Sequence, residues 1–403
     1  VDRGTFDKLL TTTGQAAIAA AAALQPTEET FLRNLTQLRK HYDAALAKAA
    51  LETVLLRARA RAKFSRAEAM YFTREALEQA SSEIIATYRA RRYAGLGRVA
   101  DVGCGLGGDA IGLAGVAPVT VMDKDPLRLA LAQANLAAYS RAAEAVLADV
   151  TVDPLPAADA LWFDPARRTG SRRAFSVRDY TPPLSILTEW LARTPALGVK
   201  ISPGVNLAEL DRGQRTIDNA RRSAVPGLPD FELEFISVHG ELKECVLWFG
   251  PLRTQAARRA TLLPGPHSLI SNLEPSPSLS RPLAFLYEPD PAILRAGLVT
   301  TLAAQLGAHQ LDPDIAYLTS DTLTPTPFAR AFALEAAFPF QLKRLRAYLR
   351  ERGVGQVTVK KRGSPLAPEE VIHKLRLAGD EGRIVFLTHV RGEPFVLIGQ
   401  AVA

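Results

Sequence analysis

Apolar positions follow two different periods along the chain. Over residues 6–62 they keep helical spacing, as in Phe31, Leu32, Leu35 and Leu38, and Pro26-Thr27-Glu28-Glu29 reads as a helix start with acids in its first turn. From residue 99 the pattern changes to short apolar runs at 99–100, 118–122, 146–148, 160–163 and 198–202. Each has the length of a buried strand, and helical stretches at 109–113, 126–139 and 184–194 separate most of them. That alternation predicts a parallel α/β sheet. Residues 231–238 then alternate, 239–243 turn, and 244–249 return, which predicts an antiparallel hairpin at the sheet edge. Residues 251–282 are rich in Pro, Ser and Arg and read as a linker with some local strand. The remainder, 283–403, mixes helices at 292–306, 341–352 and 368–377 with strands at 315–319, 328–336, 356–361, 383–389 and 394–401. The expected layout is a helical domain (1–90), a sheet domain (91–250), a linker (251–282) and a small α+β domain (283–403).

Four of the predicted strands end in a carboxylate: Asp101, Asp123, Asp149 and Asp164. Between the first of these and the next helix, Gly103, Gly105, Gly107 and Gly108 crowd one turn. Glycines let a backbone turn sharply and approach a ligand, and the helix N-terminus behind them offers free N–H groups. A carboxylate at the end of the second strand is placed to accept from both hydroxyls of a ribose. These features point to a nucleotide-like cofactor on a doubly wound sheet. Dinucleotide dehydrogenases compete for this reading, but they set their glycines as G-x-G-x-x-G and have no Asp-Pro after the fourth strand.

With these residues the chain resembles the class I S-adenosylmethionine-dependent methyltransferases. Asp101-Val-Gly-Cys-Gly-Leu-Gly matches their first motif, D/E-x-G-x-G-x-G. The resemblance implies a Rossmann-like seven-stranded sheet, S-adenosylmethionine as cofactor, and cofactor contacts from Asp101, Gly103, Gly105 and Gly107. It further implies that Asp123 binds the ribose and that Asp149 meets the adenine amino group. Asp164-Pro165 matches the first half of the D/N-P-P-Y/F/W motif of amino-group methylases, which implies a catalytic role for both residues. Ala166 and Arg167 depart from its second half. Phe72 and Thr73 resemble in placement the aromatic-Ser/Thr stretch that reaches the cofactor in trimethylguanosine synthase and its relatives. They read equally as a core aromatic and a cap for a helix running on to Arg91.

Residues 287–297 (YEPDPAILRAG) look like the start of the THUMP-like domain that follows the methyltransferase domain in a bacterial family. THUMP domains bind RNA, so this second resemblance implies an RNA substrate. A net charge of +7 favours a polyanion. Arg167, Arg168, Arg172 and Arg173 form a basic loop where an acceptor would arrive, and Lys360 and Lys361 close a strand in the last domain. These are the candidate substrate-binding residues. Lys343, Arg344, Arg346, Arg350 and Arg352 recur along one predicted helix, where a solvated face is the plainer reading.

Composition narrows the remaining choices. Two cysteines give no disulfide framework, and six scattered histidines give no metal-ligand spacing, so no metal is expected. No run is long enough to span a bilayer, and residues 1–5 show no secretion signal, so the protein is expected in the cytoplasm. The leading expectation is methylation of an RNA nucleobase. A small-molecule methyltransferase and a non-catalytic RNA-binding protein that retains a cofactor pocket are its rivals.

Overall fold

The computed structural model describes residues 1–167, 177, 180–210, 228–271 and 278–402. The chain divides into two compact units, the first built from 1–231 and 246–254 and the second from 232–245 and 255–403.

The first unit begins with α1 (Arg3–Leu10), α2 (Thr12–Ala23), α3 (Phe31–Leu38) and α4 (Ala44–Ala60). Side chains of Asp2, Thr11 and Asp43 accept backbone N–H bonds at the starts of α1, α2 and α4. Alanines 17, 21, 47 and 50 are fully buried, so small side chains let these helices pack closely. The helix predicted from Thr73 to Arg91 is broken into α5 (Arg74–Gln79) and α6 (Glu83–Ala90). Lys63 causes the break to persist: its Nζ donates to the carbonyls of Leu77, Glu78 and Ala80 at 2.7, 3.1 and 2.9 Å, satisfying the end of α5.

The sheet strands of this unit are β1 (Val99–Val102), β2 (Val119–Asp123), β3 (Glu144–Leu147) and β4 (Ala160–Phe163), followed by β5 (Ala166–Arg167) and β6 (Tyr180–Thr181), which pair with each other, and β7 (Leu197–Ile201). The order is β3-β2-β1-β4-β7, with parallel pairing throughout. Helices α7 (Gly108–Leu113), α8 (Pro126–Ala138) and α9 (Leu187–Arg193) make the crossovers. Strands β1, β2 and β4 are buried along their whole length, as strands covered on both faces must be. The expected hairpin is β8 (Phe231–Val238) and β9 (Glu241–Phe249), with the last residues of β9 beside β7, but it does not form the sheet edge.

In the second unit, part of the expected linker is strand. There β10 (Arg258–Leu263) pairs in parallel with β8, and β11 (His267–Ser271) pairs antiparallel with β10, so strands continue past the seven expected. These added strands cover Glu232 and Glu234 of β8. Both are fully buried; Arg259 donates to Glu232 at 2.6 Å and Thr261 to Glu234 at 2.6 Å. A buried carboxylate needs such partners, and β10 supplies them.

The rest of this unit is β12 (Phe285–Pro289), α10 (Pro291–Ala296), α11 (Val299–Leu306), β13 (His309–Asp312), β14 (Ile315–Ser320), β15 (Ala329–Pro339), α12 (Leu342–Glu351), β16 (Val354–Lys361), α13 (Pro368–Leu375), β17 (Glu381–Val390) and β18 (Glu393–Ala401). A seven-stranded sheet runs β13-β14-β12-β15-β18-β17-β16. Gly297, in a left-handed conformation, splits the single helix expected over 292–306 into α10 and α11. One core packs Leu345, Leu349, Val371 and Leu375 of α12 and α13 onto Val385, Val396 and Ile398.

Candidate active site

The carboxyl ends of β1, β2 and β4 carry Asp101, the loop glycines, Asp123, Asp164 and Pro165. After β1 the chain turns through Gly103, Gly105 and Gly107 at φ of 76, 56 and 81°. A Cβ at Gly103 or Gly105 would meet nothing within 4 Å, so this cradle opens into free space. At Gly107 a Cβ would come 2.9 Å from Ala132 Cα, because α8 passes directly behind the loop. The loop is held from β2: Gly103 and Cys104 N–H groups donate to Met122 O at 2.8 and 3.0 Å. Asp123 accepts from Gly105 N–H through Oδ2 and from Asp125 N–H through Oδ1, both at 3.0 Å. Each of its oxygens keeps a further lone pair for a ligand hydroxyl.

Asp101 is buried, and its Oδ2 has no hydrogen-bond partner. Burial pushes its pKa well up, reinforced by the charges of Asp109, Asp164 and Asp123 and opposed by Arg89. Arg89 is buried as well; it pairs with Asp109 and lies 4.1 Å from the centroid of the Trp162 ring. The pair ties α6 to the first turn of α7. Those helices touch closely where Gly112 faces Ala86, since a Cβ there would sit 2.5 Å from Ala86 O. Burial, with the charges of Asp101 and Asp123, also pushes the Cys104 thiol well up, which disfavours the thiolate.

Asp164 follows β4, next to buried Pro165. Lys200 on β7 donates to Asp164 Oδ2 at 2.6 Å, with both side chains largely shielded. This lysine therefore points at the acid, which the expected basic loop follows in the chain. Of that loop, Arg167 lies in β5, which pairs with β6 through Arg167↔Tyr180. Arg168, Arg172 and Arg173 lie outside the described residues.

Two proteins of Mycobacterium tuberculosis, from strains CDC 1551 and H37Rv, are each 34% identical to this chain over 348 residues, 84% of this chain and 92% of theirs. Both are named as uncharacterized S-adenosylmethionine-dependent methyltransferases. The chain belongs to the S-adenosylmethionine-dependent methyltransferases. A crystal structure of a candidate methyltransferase from Porphyromonas gingivalis W83 has the same fold, with a TM-score of 0.74 at 22% identity over 94% of this chain and 100% of that one. Residues 329–401 match the family described as THUMP domain-like, and residues 2–60 match a domain of unknown function (DUF8688).

The methyltransferase centre holds residues that sequence patterns did not single out. Asn135 of α8 is fully buried and makes three bonds. Its Oδ1 accepts from Tyr71 N–H at 2.7 Å, and its Nδ2 donates to Tyr71 O at 3.0 Å and Leu106 O at 2.9 Å. One side chain thus locks the segment carrying Phe72 and Thr73 onto the glycine loop. Phe72 is buried against Phe64, and Thr73 Oγ1 accepts from Ala76 N–H as the cap of α5. Asp149 follows β3, one residue after Ala148, whose N–H donates to Asp123 O at 3.1 Å; the N–H and hydroxyl of Thr151 hold its carboxyl below the usual range, and Lys124 lies 3.3 Å from Oδ2.

The C-terminal candidates divide by what they touch. Lys360 is paired with Glu288 and lies 5.1 Å from the Phe332 ring, while Lys361 is exposed. Two arginines of α12 have structural duties. Arg346 donates to Lys374 O, and Arg350 to Arg376 O at 2.7 Å, covering the open carbonyls at the end of α13. Among the described residues, no group of three or more His, Cys, Asp or Glu is arranged to hold a metal, and no helix is long and apolar enough to cross a membrane.

Proposed function

We propose that this methyltransferase modifies a nucleobase of an RNA in the cytoplasm, with the acceptor presented to Asp164 and Pro165. The observation that carries the reading is the THUMP domain-like match at 329–401 on the same chain as a methyltransferase centre with an Asp-Pro at the end of β4. The basic excess of the chain supports it.

S-adenosylmethionine, when bound, supplies an electrophilic methyl carbon on a sulfonium. In this reading Gly103, Gly105 and Gly107 cradle it, Asp123 accepts from its ribose hydroxyls, and Asp149 meets its adenine amino group. The unpartnered Asp101 oxygen takes one of its donors, and Phe72 and Thr73 close the opposite wall. The open space above Gly103 and Gly105 and the spare lone pairs of Asp123 fit such a group. Asp164 accepts an N–H of the acceptor amine and so aims its lone pair, and Lys200 holds the carboxylate in place. Arg167, Arg168, Arg172 and Arg173 meet the RNA backbone near the centre, and Lys360 and Lys361 meet it elsewhere.

The test is to incubate the enzyme and isotope-labelled S-adenosylmethionine with total RNA from a strain lacking the gene, followed by mass spectrometry of nucleosides. A labelled nucleoside that is absent with Asp164→Ala is expected. Label confined to small molecules would replace RNA with a metabolite as the substrate.

A further inference from the structure

A cleft of about 540 Å³ lies within the second unit, apart from every cofactor motif. It is walled by β10 and β11 with their connecting turn, by the end of β12 and by the starts of β15 and α10, and it is lined by Gly240, His267, Glu288, Asp290, Arg330, Lys360 and Arg362 among others. Its volume suits a ligand of nucleotide size. Pro264, Pro289, Pro291 and Pro327 add apolar wall, against which the carbon face of a ligand can rest.

The charges inside are not balanced. Of the two carboxylates, Glu288 is engaged by Lys360, and Asp290 accepts Ala292 N–H at 2.8 Å. Arg362 lies 5.0 Å from the Tyr317 ring. Arg330, opposite Glu288 across the β12–β15 pair, is exposed and has no hydrogen-bond or ion-pair partner among the described residues. Its guanidinium reaches over the β8–β9 turn, where a Cβ at Gly240 would stand 3.3 Å from Nη2. Lys360 and Arg362 retain donors beyond their present contacts, since an ammonium has three and a guanidinium five.

We propose that this cleft binds a ribose phosphate, with Arg330, Lys360 and Arg362 on the phosphate and the carboxylates of Glu288 and Asp290 accepting from sugar hydroxyls. Cations alone would fit any phosphate; the acids beside them select one that also carries hydroxyl donors. The phosphate belongs either to an RNA strand, which rests on the function proposed above, or to a free nucleotide.

The full chain is titrated with a fluorescent single-stranded RNA of about a dozen nucleotides, the DNA of the same sequence, and adenosine monophosphate as competitor. Arg330→Glu is expected to weaken RNA binding at least about tenfold at about 0.1 M salt, to lower the salt slope by about one, and to leave S-adenosylhomocysteine affinity unchanged. Arg330→Lys should recover most of the loss, and DNA should bind more weakly than RNA. RNA binding that Arg330→Glu leaves intact would overturn the cleft while sparing the RNA substrate. Arg330-dependent binding of adenosine monophosphate without RNA binding would keep the cleft and remove the RNA. Binding of neither by the wild-type chain would overturn both.

Discussion

Lys200 Nζ and Asp164 Oδ2 stand 2.6 Å apart, joining the ends of β7 and β4 across the centre. The pair fixes the carboxylate, whose other oxygen, Oδ1, is the one the proposed function gives to the acceptor amine. Asp164→Ala should cut turnover at least about a hundredfold with little change in S-adenosylhomocysteine affinity. Lys200→Met should cost about tenfold, and the double variant should be no slower than Asp164→Ala alone. Single-turnover rates for the four proteins check this; additive losses would mean that the two residues act separately.

Asp123 anchors Gly105 N–H and, in the proposed function, also accepts from the cofactor ribose. Asp123→Ala should weaken S-adenosylhomocysteine binding by about 2–4 kcal/mol, the order expected for hydrogen bonds to a charged group. Titration calorimetry on the folded variant measures it. Unchanged affinity would remove the residue from the ribose site.

The loop glycines should separate into two kinds. Alanine at Gly103 meets open space, so beyond the cost of about 1–2 kcal/mol for its positive φ it should act mainly by obstructing the cofactor. Alanine at Gly107 meets the α8 backbone at 2.9 Å and should lower the melting temperature by the larger amount. Melting curves with and without S-adenosylhomocysteine distinguish them: Gly103→Ala should lose the ligand-induced rise, and Gly107→Ala the baseline.

Asp101 gives a pH signature. Burial, with Asp109 next, raises its folded pKa, so the folded chain keeps this proton to higher pH than the unfolded chain does. Its contribution to stability is full below the ordinary value of 3.8 and falls as pH rises toward the folded value. Asp101→Asn removes that fall. The cofactor-free variant should match wild type near pH 4 and exceed it by about 1 kcal/mol at pH 8, while binding the cofactor more weakly. Denaturant melts across that range test it, and a constant difference would contradict the assignment.

Asn135→Leu should leave Tyr71 N–H, Tyr71 O and Leu106 O unsatisfied in a buried place, at about 1–3 kcal/mol for each group left without a partner. Because the same residue docks the Phe72 segment on the loop, cofactor affinity should fall with stability. Urea melts and calorimetry together check this; a stability loss with unchanged affinity would make the lock purely structural.

What the sequence could reveal was whatever is written locally. Asp101, Asp123 and Asp164 stood out because each follows a short apolar run, and the glycines because they crowd one turn. Asn135 and Arg89 did not, since one is an amide in an ordinary helix and the other an arginine among several, and only packing gives them their tasks. Glu232 and Glu234 carry the opposite lesson: nothing in an alternating run says that its polar positions are buried, and only a further strand brings Arg259 and Thr261 to meet them. The Pro- and Ser-rich surroundings of β10 and β11 concealed that strand. Arg346 and Arg350 read as free charge because their acceptors are carbonyls of another helix.

The chain leaves the first unit at Phe231 and returns to it at Val246, so the strand flanking β7 is the last strand of that unit to be translated. On the ribosome, β7 must wait with one edge unpaired while the intervening residues emerge, at about 5–20 residues per second. An expression fragment ending at Phe231 would keep that edge open permanently and offer it to neighbouring chains as a template for aggregation. One ending after Thr254 would carry its own closing strand.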